Sequence, residues 1–399
     1  MGRRSRGTGC LGCITVIALL VACFVVLGLR LAPPVVRSIL EAQRKRFLDA
    51  VGLQADEPSY DASQLGYAGS QLSESQQLVY LKLYDGITQL VEDFSVLDAT
   101  NDDVDVAYRA LMRDHPEFFW LDGSCVYTYA KVSHVVVVKP GLSLPLDQVP
   151  QIKSRIEAAA DDFLQSLPEE CDDYTVLQSA YEFIISTTDY QIDAEQSQNI
   201  QSVLLNHASV CAGYSRAYQY LLQRAGLFCA YVEGSITSTG EDHAWNLVRI
   251  GDTYAYVDCT WGDPTYRNDE GMQTNGIIYD YLGVTTDELL RDQHVFSTDE
   301  TWPSCESNEL DYYYRYGRLL DSYDEEVLSS QFWEQSATSE STAAWKFTND
   351  DAFQAAADAL DAGTFLRSDL LAIAESRGDS QLRYGYTVND ALRIVKIYW

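Results

Sequence analysis

The stretch His243-Ala244-Trp245-Asn246-Leu247-Val248-Arg249-Ile250-Gly251-Asp252-Thr253-Tyr254-Ala255-Tyr256-Val257-Asp258 decides the fold. Two runs rich in apolar and β-branched residues flank Gly251-Asp252, a pair suited to a two-residue turn, so the segment reads as an antiparallel hairpin. That turn sets Ile250 opposite Thr253 and Trp245 opposite Asp258. His243 is then the diagonal neighbour of Asp258 on the same face, within side-chain reach. A slip of one residue would put the two on opposite faces. The register predicts an imidazole–carboxylate couple on one strand pair.

Upstream, Leu227 to Glu233 reads as a further strand. Before it, Tyr214, Ala217, Tyr218, Leu221, Leu222 and Ala225 recur at helical spacing, and Gly226 supplies the stop. Cys211 opens that helix. A thiol there meets the positive end of the helix dipole and unpaired backbone N–H groups, which favour thiolate. The same N–H groups can hold an oxyanion. A buried structural cysteine is the plain alternative. The neighbouring His–Asp couple favours chemistry, because nucleophile, base and orienting carboxylate are then all present. In this reading His243 takes the thiol proton and Asp258 fixes its tautomer. Gln198 and Asn199 carry amides that could be a second oxyanion donor, with helix capping or exposure as the rival account. Tyr214, Trp245 and Trp261 are candidate cleft walls, with core packing as the rival.

Val210-Cys211-Ala212-Gly213-Tyr214-Ser215, His243-Ala244-Trp245-Asn246 and Val257-Asp258-Cys259-Thr260-Trp261-Gly262-Asp263-Pro264 resemble, in order and spacing, the three motifs of the bacterial transglutaminase-like superfamily. Tyr281-Leu282 and His294 are similar to the segment that follows the last motif, and Asp114 to Trp120 to one that often precedes the core. The resemblance covers about 172–296. It implies a papain-like core, with a nucleophile helix packed on an antiparallel sheet, and a thioester formed with a glutamine side chain or peptide bond. Release to an amine gives cross-linking; release to water gives deamidation or hydrolysis.

The remainder frames this core. The chain has 399 residues and 59 acidic against 28 basic side chains, a net charge of −31. So acidic a body repels phosphate backbones, which argues against a nucleic-acid partner. Basic residues gather at the start: Arg3, Arg4, Arg6, Arg30, Arg37, Arg44, Lys45 and Arg46 stand there against Glu41 alone. Between them, 10–30 is almost wholly apolar and long enough to cross a bilayer. This predicts a basic tail (1–9), a single transmembrane anchor (10–30) in the cell membrane and an extracellular body; the alternatives are an acylated Cys23 and a reversed orientation with a cytoplasmic body. A linker (31–71), an N-terminal α+β module (72–167), the catalytic domain (168–305) and a C-terminal α+β module (306–399) complete an expected α+β chain.

In the first module, Ser73 to Gln76 has capping-box spacing and opens a helix through Leu90. Asn101 to Asp105 reads as the N-cap of a helix over Val106 to Met112. Strands are expected at Cys125 to Ala130 and His134 to Val138, and a helix from Val149 to Leu167. The last module is expected to hold a helix at Ala352 to Leu360, with strands at Trp345 to Thr348, Arg383 to Val388 and Leu392 to Tyr398. Gln335 to Thr342 reads as a polar loop, and Tyr312 to Tyr316 as a cluster packed on the neighbouring module. His115, His134, His207 and His294 read as structural. No metal-binding spacing is present, and no cofactor is called for. Cys125, Cys171, Cys229, Cys259 and Cys305 allow disulfides without fixing their pairing. The expectation is a thiol enzyme acting on a peptide or protein substrate, a cell-wall peptide among the candidates. The rival is a binding or scaffolding module that holds a peptide in the same cleft without turning it over.

Overall fold

The computed structural model describes residues 62–130, 135–263, 276–297, 300–337, 341–378 and 384–399. The expected tail, anchor and most of the linker lie outside these residues, as do His134, Pro264 and Arg383. The expected membrane localisation is corrected: among the described residues no helix is long and apolar enough to cross a membrane. The chain is α+β, and it divides into two compact units, 1–152 and 153–399.

In the first unit, helices α1 (Glu74–Thr88) and α2 (Asn101–Asp114) accompany an antiparallel sheet of β1 (Phe94–Leu97), β3 (Val135–Leu142) and β2 (Leu121–Ala130), in that order. Ser73 closes a capping box with Gln76, as its spacing implies. The cap of α2 differs from expectation. Thr100 accepts from Asp103 N at 3.2 Å while Asp103 Oδ2 takes Thr100 N at 3.1 Å, so the helix begins at Asn101 and absorbs the acidic run. A threonine with an acid three residues on satisfies two orphan N–H groups at once. Strand β1 had no sequence signal beyond four residues, Phe94-Ser95-Val96-Leu97.

The second unit opens within helix α3 (Val149–Ser166) and continues with α4 (Asp173–Thr187) and α5 (Cys211–Arg224). Tyr181, Ile184, Tyr218 and Leu221 are buried between and beneath these helices, and Gly226 ends α5 at φ 83°. Strands β4 (Phe228–Ile236), β5 (Asp242–Ile250), β6 (Thr253–Val257), β7 (Leu282–Val284) and β8 (His294–Phe296) form a wholly antiparallel sheet in the order β8-β4-β5-β6-β7. Ile250 pairs with Thr253 and Asn246 with Val257, the register read from the turn, and Gly251 stands at φ 58° as that turn requires. Asn246 ties helix to sheet: its Nδ2 donates to the Ser215 carbonyl on α5 at 2.9 Å and lies 3.4 Å from Ala230 O on β4. Helix α6 (Thr286–Arg291) links β7 to β8.

The rest of the unit adds the short helix α7 (Tyr312–Arg315) and a sheet ordered β9-β10-β12-β11. Its strands are β9 (Leu319–Leu320), β10 (Thr342–Phe347), β11 (Gly385–Asn389) and β12 (Ile394–Tyr398). Helices α8 (Glu325–Ser336), α9 (Asp350–Asp361) and α10 (Arg367–Ser376) surround its own core of Leu328, Phe332, Trp345, Leu370 and Val395. Helix α8 reaches into the segment expected to be a polar loop. Its apolar face is thin: Leu328 and Phe332 are buried, while Val327 and Trp333 are exposed. Tyr312 to Tyr316 packs as expected on the site-bearing part of the unit. Tyr312 stacks on Tyr279 with centroids 4.1 Å apart, and the Tyr313 hydroxyl donates to Asp280 at 2.7 Å.

Candidate active site

Cys211 is the first residue of α5, behind an extended Val210 that offers no side-chain cap. The first-turn N–H groups are therefore not claimed by a capping side chain, and they face the thiol end. Helix α5 is seated by the preceding loop. That loop pairs Asp189–Tyr190 with Ala208–Ser209 as two short parallel strands, makes a single π-turn over Ser202–Asn206, and ends with His207 in the left-handed region at φ 57°. A Cβ on Gly213 would lie 2.0 Å from Ser209 Oγ and 2.6 Å from the Ser197 carbonyl. Only glycine lets the loop close so tightly on the first turn. Cys211 is half-buried, and it and Cys125, Cys171, Cys229, Cys259 and Cys305 are all free thiols, so none of the allowed disulfides forms.

The hairpin delivers the couple the register implies. His243 Nε2 lies 2.7 Å from Asp258 Oδ2, with both residues buried. Asp258 follows the last residue of β6 and caps the next turn, its Oδ1 accepting from Thr260 N at 2.9 Å and Trp261 N at 3.0 Å. Its backbone N–H donates to Tyr281 O at 3.0 Å. Burial opposes its charge, but His243, then His294, hold the carboxyl below the usual range. Burial likewise opposes protonation of His243. The Asp258 charge and hydrogen bond, with a smaller contribution from Cys211, overcome it and raise the imidazole to about 10. With Nε2 on Asp258, Nδ1 is the nitrogen left to exchange a proton with the thiol.

A third member, His294, belongs to the segment resembling the one after the last motif, and reads from the sequence as structural rather than catalytic. His294, wholly buried at the start of β8, places Nε2 3.2 Å from the same Asp258 Oδ2, while Nδ1 lies 3.1 Å from Asp292 O. The ligating atoms of His243, Asp258 and His294 lie within 4.8 Å of one another, the separation that could also surround a metal ion. The His–Asp separations are those of hydrogen bonds, and each is accounted for by a proton on imidazole nitrogen.

The wall candidates prove to be interior. Tyr214 is fully buried and braces α5, its hydroxyl 2.8 Å from Thr188 O and 2.7 Å from Asp263 Oδ2. Trp245 stacks on His243 at 5.9 Å and meets His294 edge-on at 5.0 Å; Trp261 lies 4.5 Å from His294. These rings pack around the imidazoles and keep water from the couple. Of the amide candidates, Asn199 is buried and committed locally. Its Nδ2 donates to Gln196 Oε1 at 2.8 Å and its Oδ1 accepts from Gln201 N at 2.9 Å. Gln198 is exposed, next to the Ser197 carbonyl that abuts α5.

A buried ion cluster and a partly buried ion pair hold the segment behind Asp258. Lys346 on β10 bonds Asp311 at 2.6 Å and Glu288 of α6 at 2.7 Å, and Lys396 on β12 bonds Asp280 at 2.6 Å. Trp261 and Tyr281 share one apolar cluster with Leu392 and Ile394, so the second sheet packs directly beneath the site.

A half-open thiol at a helix N-terminus, facing a buried imidazole–carboxylate couple on an antiparallel sheet, defines an arrangement able to do nucleophilic acyl chemistry. The chain is similar to the "Kyphoscoliosis peptidase" of Mus musculus, 27% identical over 126 residues, or 28% of this chain and 19% of that protein. It is also similar to the Homo sapiens protein of the same name, 28% identical over 125 residues, 28% of this chain and 18% of that one. The chain thus spans about a fifth of the length of these relatives. No family model matches. Solved structures show slight likeness only. They include a "TGase" (TM-score 0.26, 10% identity, 39% of this chain and 49% of that one) and a putative cysteine protease from Cytophaga hutchinsonii (0.24, 14%, 39% and 64%). A third is the periplasmic domain of TgpA from Pseudomonas aeruginosa bound to ethylmercury (0.23, 18%, 34% and 59%).

Proposed function

We propose that the chain is a transglutaminase-like cysteine enzyme that forms a thioester at Cys211 with a peptide or glutamine amide and releases it to an amine or to water. The observation that carries this reading is the buried His243–Asp258 bond of 2.7 Å, with Cys211 near enough to His243 to favour its protonated form. His243 Nδ1 takes the thiol proton, and the thiolate attacks the amide carbonyl carbon. Charge gathers on the carbonyl oxygen, where the Cys211 backbone N–H and the Gln198 amide are the proposed donors. The C–N bond then breaks as His243 returns its proton to the departing amine or ammonia, leaving the thioester. In the second half, His243 removes a proton from the incoming amine or water, whose attack expels the thiolate and regenerates the thiol. Asp258 keeps Nε2 protonated throughout and stabilises the imidazolium.

Intact-mass spectrometry after brief exposure to a glutamine-containing peptide and to an activated acyl ester tests the reading. An adduct on Cys211, removed by hydroxylamine and absent from Cys211→Ala and His243→Ala, is the expected result. No adduct from either donor under conditions where the fold is intact would refute it.

A further inference from the structure

We propose that His294 is a positioning residue of this site: it donates a second hydrogen bond into the Asp258 oxygen that holds His243, and so limits how tightly the base is gripped. The inference rests on the reading of His243 as base and Asp258 as its orienting carboxylate.

Asp258 Oδ2 is shared, 2.7 Å from His243 Nε2 and 3.2 Å from His294 Nε2. Its other oxygen is fully engaged by the N–H groups of Thr260 and Trp261 at 2.9 and 3.0 Å. Those two bonds, with the backbone bond to Tyr281, fix where Asp258 sits without help from His294. What His294 changes is the charge on Oδ2. An oxygen that accepts from two donors bonds each more weakly than it would bond one alone. A base in acyl transfer must take a proton and then give it up, so an imidazole bound too firmly as imidazolium is a poor catalyst.

His294 is built to stay in place. Trp245 and Trp261 flank its ring, with centroids 5.0 and 4.5 Å away. Its strand pairs it with Ile236 on β4, and it stands 36 residues beyond Asp258 in sequence. The titratable neighbours of His294 are Asp258, His243 (ring centroids 5.4 Å apart), Tyr281 (6.5 Å) and Asp292, whose carboxylate takes the Tyr281 hydroxyl at 2.5 Å. Those facing His243 are Asp258, Cys211 and His294.

The chain has 5 histidines, few enough for each ring to be assigned by substitution in protein labelled with 13C-histidine. The titration of His243 is followed by NMR in the wild type, His294→Gln and His294→Phe. Removing the second donor in His294→Phe is expected to raise the His243 midpoint by about half a pH unit or more, while His294→Gln, which keeps an amide donor, stays close to wild type. If His294→Phe does not fold, His294→Leu is read by the same criterion. An unchanged or lowered midpoint in a folded variant without the donor overturns the inference. The midpoint is measurable whether or not Cys211 forms a thioester, so failure here is distinct from failure of the proposed reaction.

Discussion

Lys346 and His243 are both almost sealed from solvent, at 0% and 6% exposure, and each sits within hydrogen-bond distance of a buried carboxylate. Around Lys346 the account is closed. Its ammonium meets Asp311 and Glu288, Glu288 also caps α6, and Asp311 caps α7. Burial lowers the affinity of Lys346 for its proton, but Asp311 and then Glu288 more than restore it. Around His243 one side stays open. The imidazole leans on Asp258 at Nε2, and its other nitrogen faces a half-buried thiol. The closed cluster has no group left to exchange a proton with; the open one does. Buried charge thus holds the fold in one place and is available for chemistry in the other.

The largest effects should come from breaking the open cluster, and they should appear in rate rather than stability. Cys211→Ala and His243→Ala are each expected to lower turnover about 10⁴-fold or more, measured with whichever donor acylates the wild type. Asp258→Asn should cost somewhat less, about 10²- to 10⁴-fold, because the thiol and imidazole remain but the tautomer is no longer enforced.

Breaking the closed cluster should do the reverse. Lys346→Met leaves Glu288 and Asp311 buried without their cation, which should cost about 3–5 kcal/mol of stability in chemical denaturation. Adding Glu288→Gln and Asp311→Asn should recover much of it. If Lys346→Met were as stable as the wild type, the contrast between the clusters would collapse.

The pH response sharpens the comparison. The His243 value is raised in the folded chain, so its coupling to Asp258 contributes fully below the ordinary histidine value, about 6.5, and is lost as pH rises through about 10. Asp258 is lowered, so its share fails only as pH falls below the usual carboxylate range. The stability difference between wild type and His243→Gln should therefore narrow as the solution is made alkaline. Smallest is the tether between helix and sheet. Asn246→Leu removes the bond to Ser215 O and should cost about 1–3 kcal/mol by thermal denaturation.

Much of the open cluster was legible because its information is local. Gly251-Asp252 fixes the turn, the turn fixes the register, and the register places His243 beside Asp258. Cys211 was legible for a similar reason, standing one residue inside a helix whose apolar spacing is plain. His294 was not. It reaches Asp258 through strand β8, three residues long and paired with β4 at the far edge of the sheet. The signals were its place in the segment resembling the one after the last motif and a short alternating run, His294-Val295-Phe296, and neither points to Asp258. Lys346 was hidden by periodicity. Alternation along Ala343, Trp345 and Phe347 sends Lys346 to the opposite face, which on an ordinary outer sheet would meet water. Here that face meets Asp311 and Glu288 instead. The transmembrane reading rested on composition at 10–30, and no described helix supports it. Tyr214 misled because a tyrosine beside a nucleophile can line a cleft or brace a helix, and the motif does not say which.

Alkylation of Cys211 against pH is the most direct test of the central claim. Iodoacetamide is titrated against the full chain, with the labelled site read by mass spectrometry and His243→Ala run alongside. An activated thiolate predicts labelling of Cys211 far faster than of the other cysteines, lost in His243→Ala. Labelling of Cys211 that follows the pH curve of an ordinary thiol, and is indifferent to His243, would contradict the account.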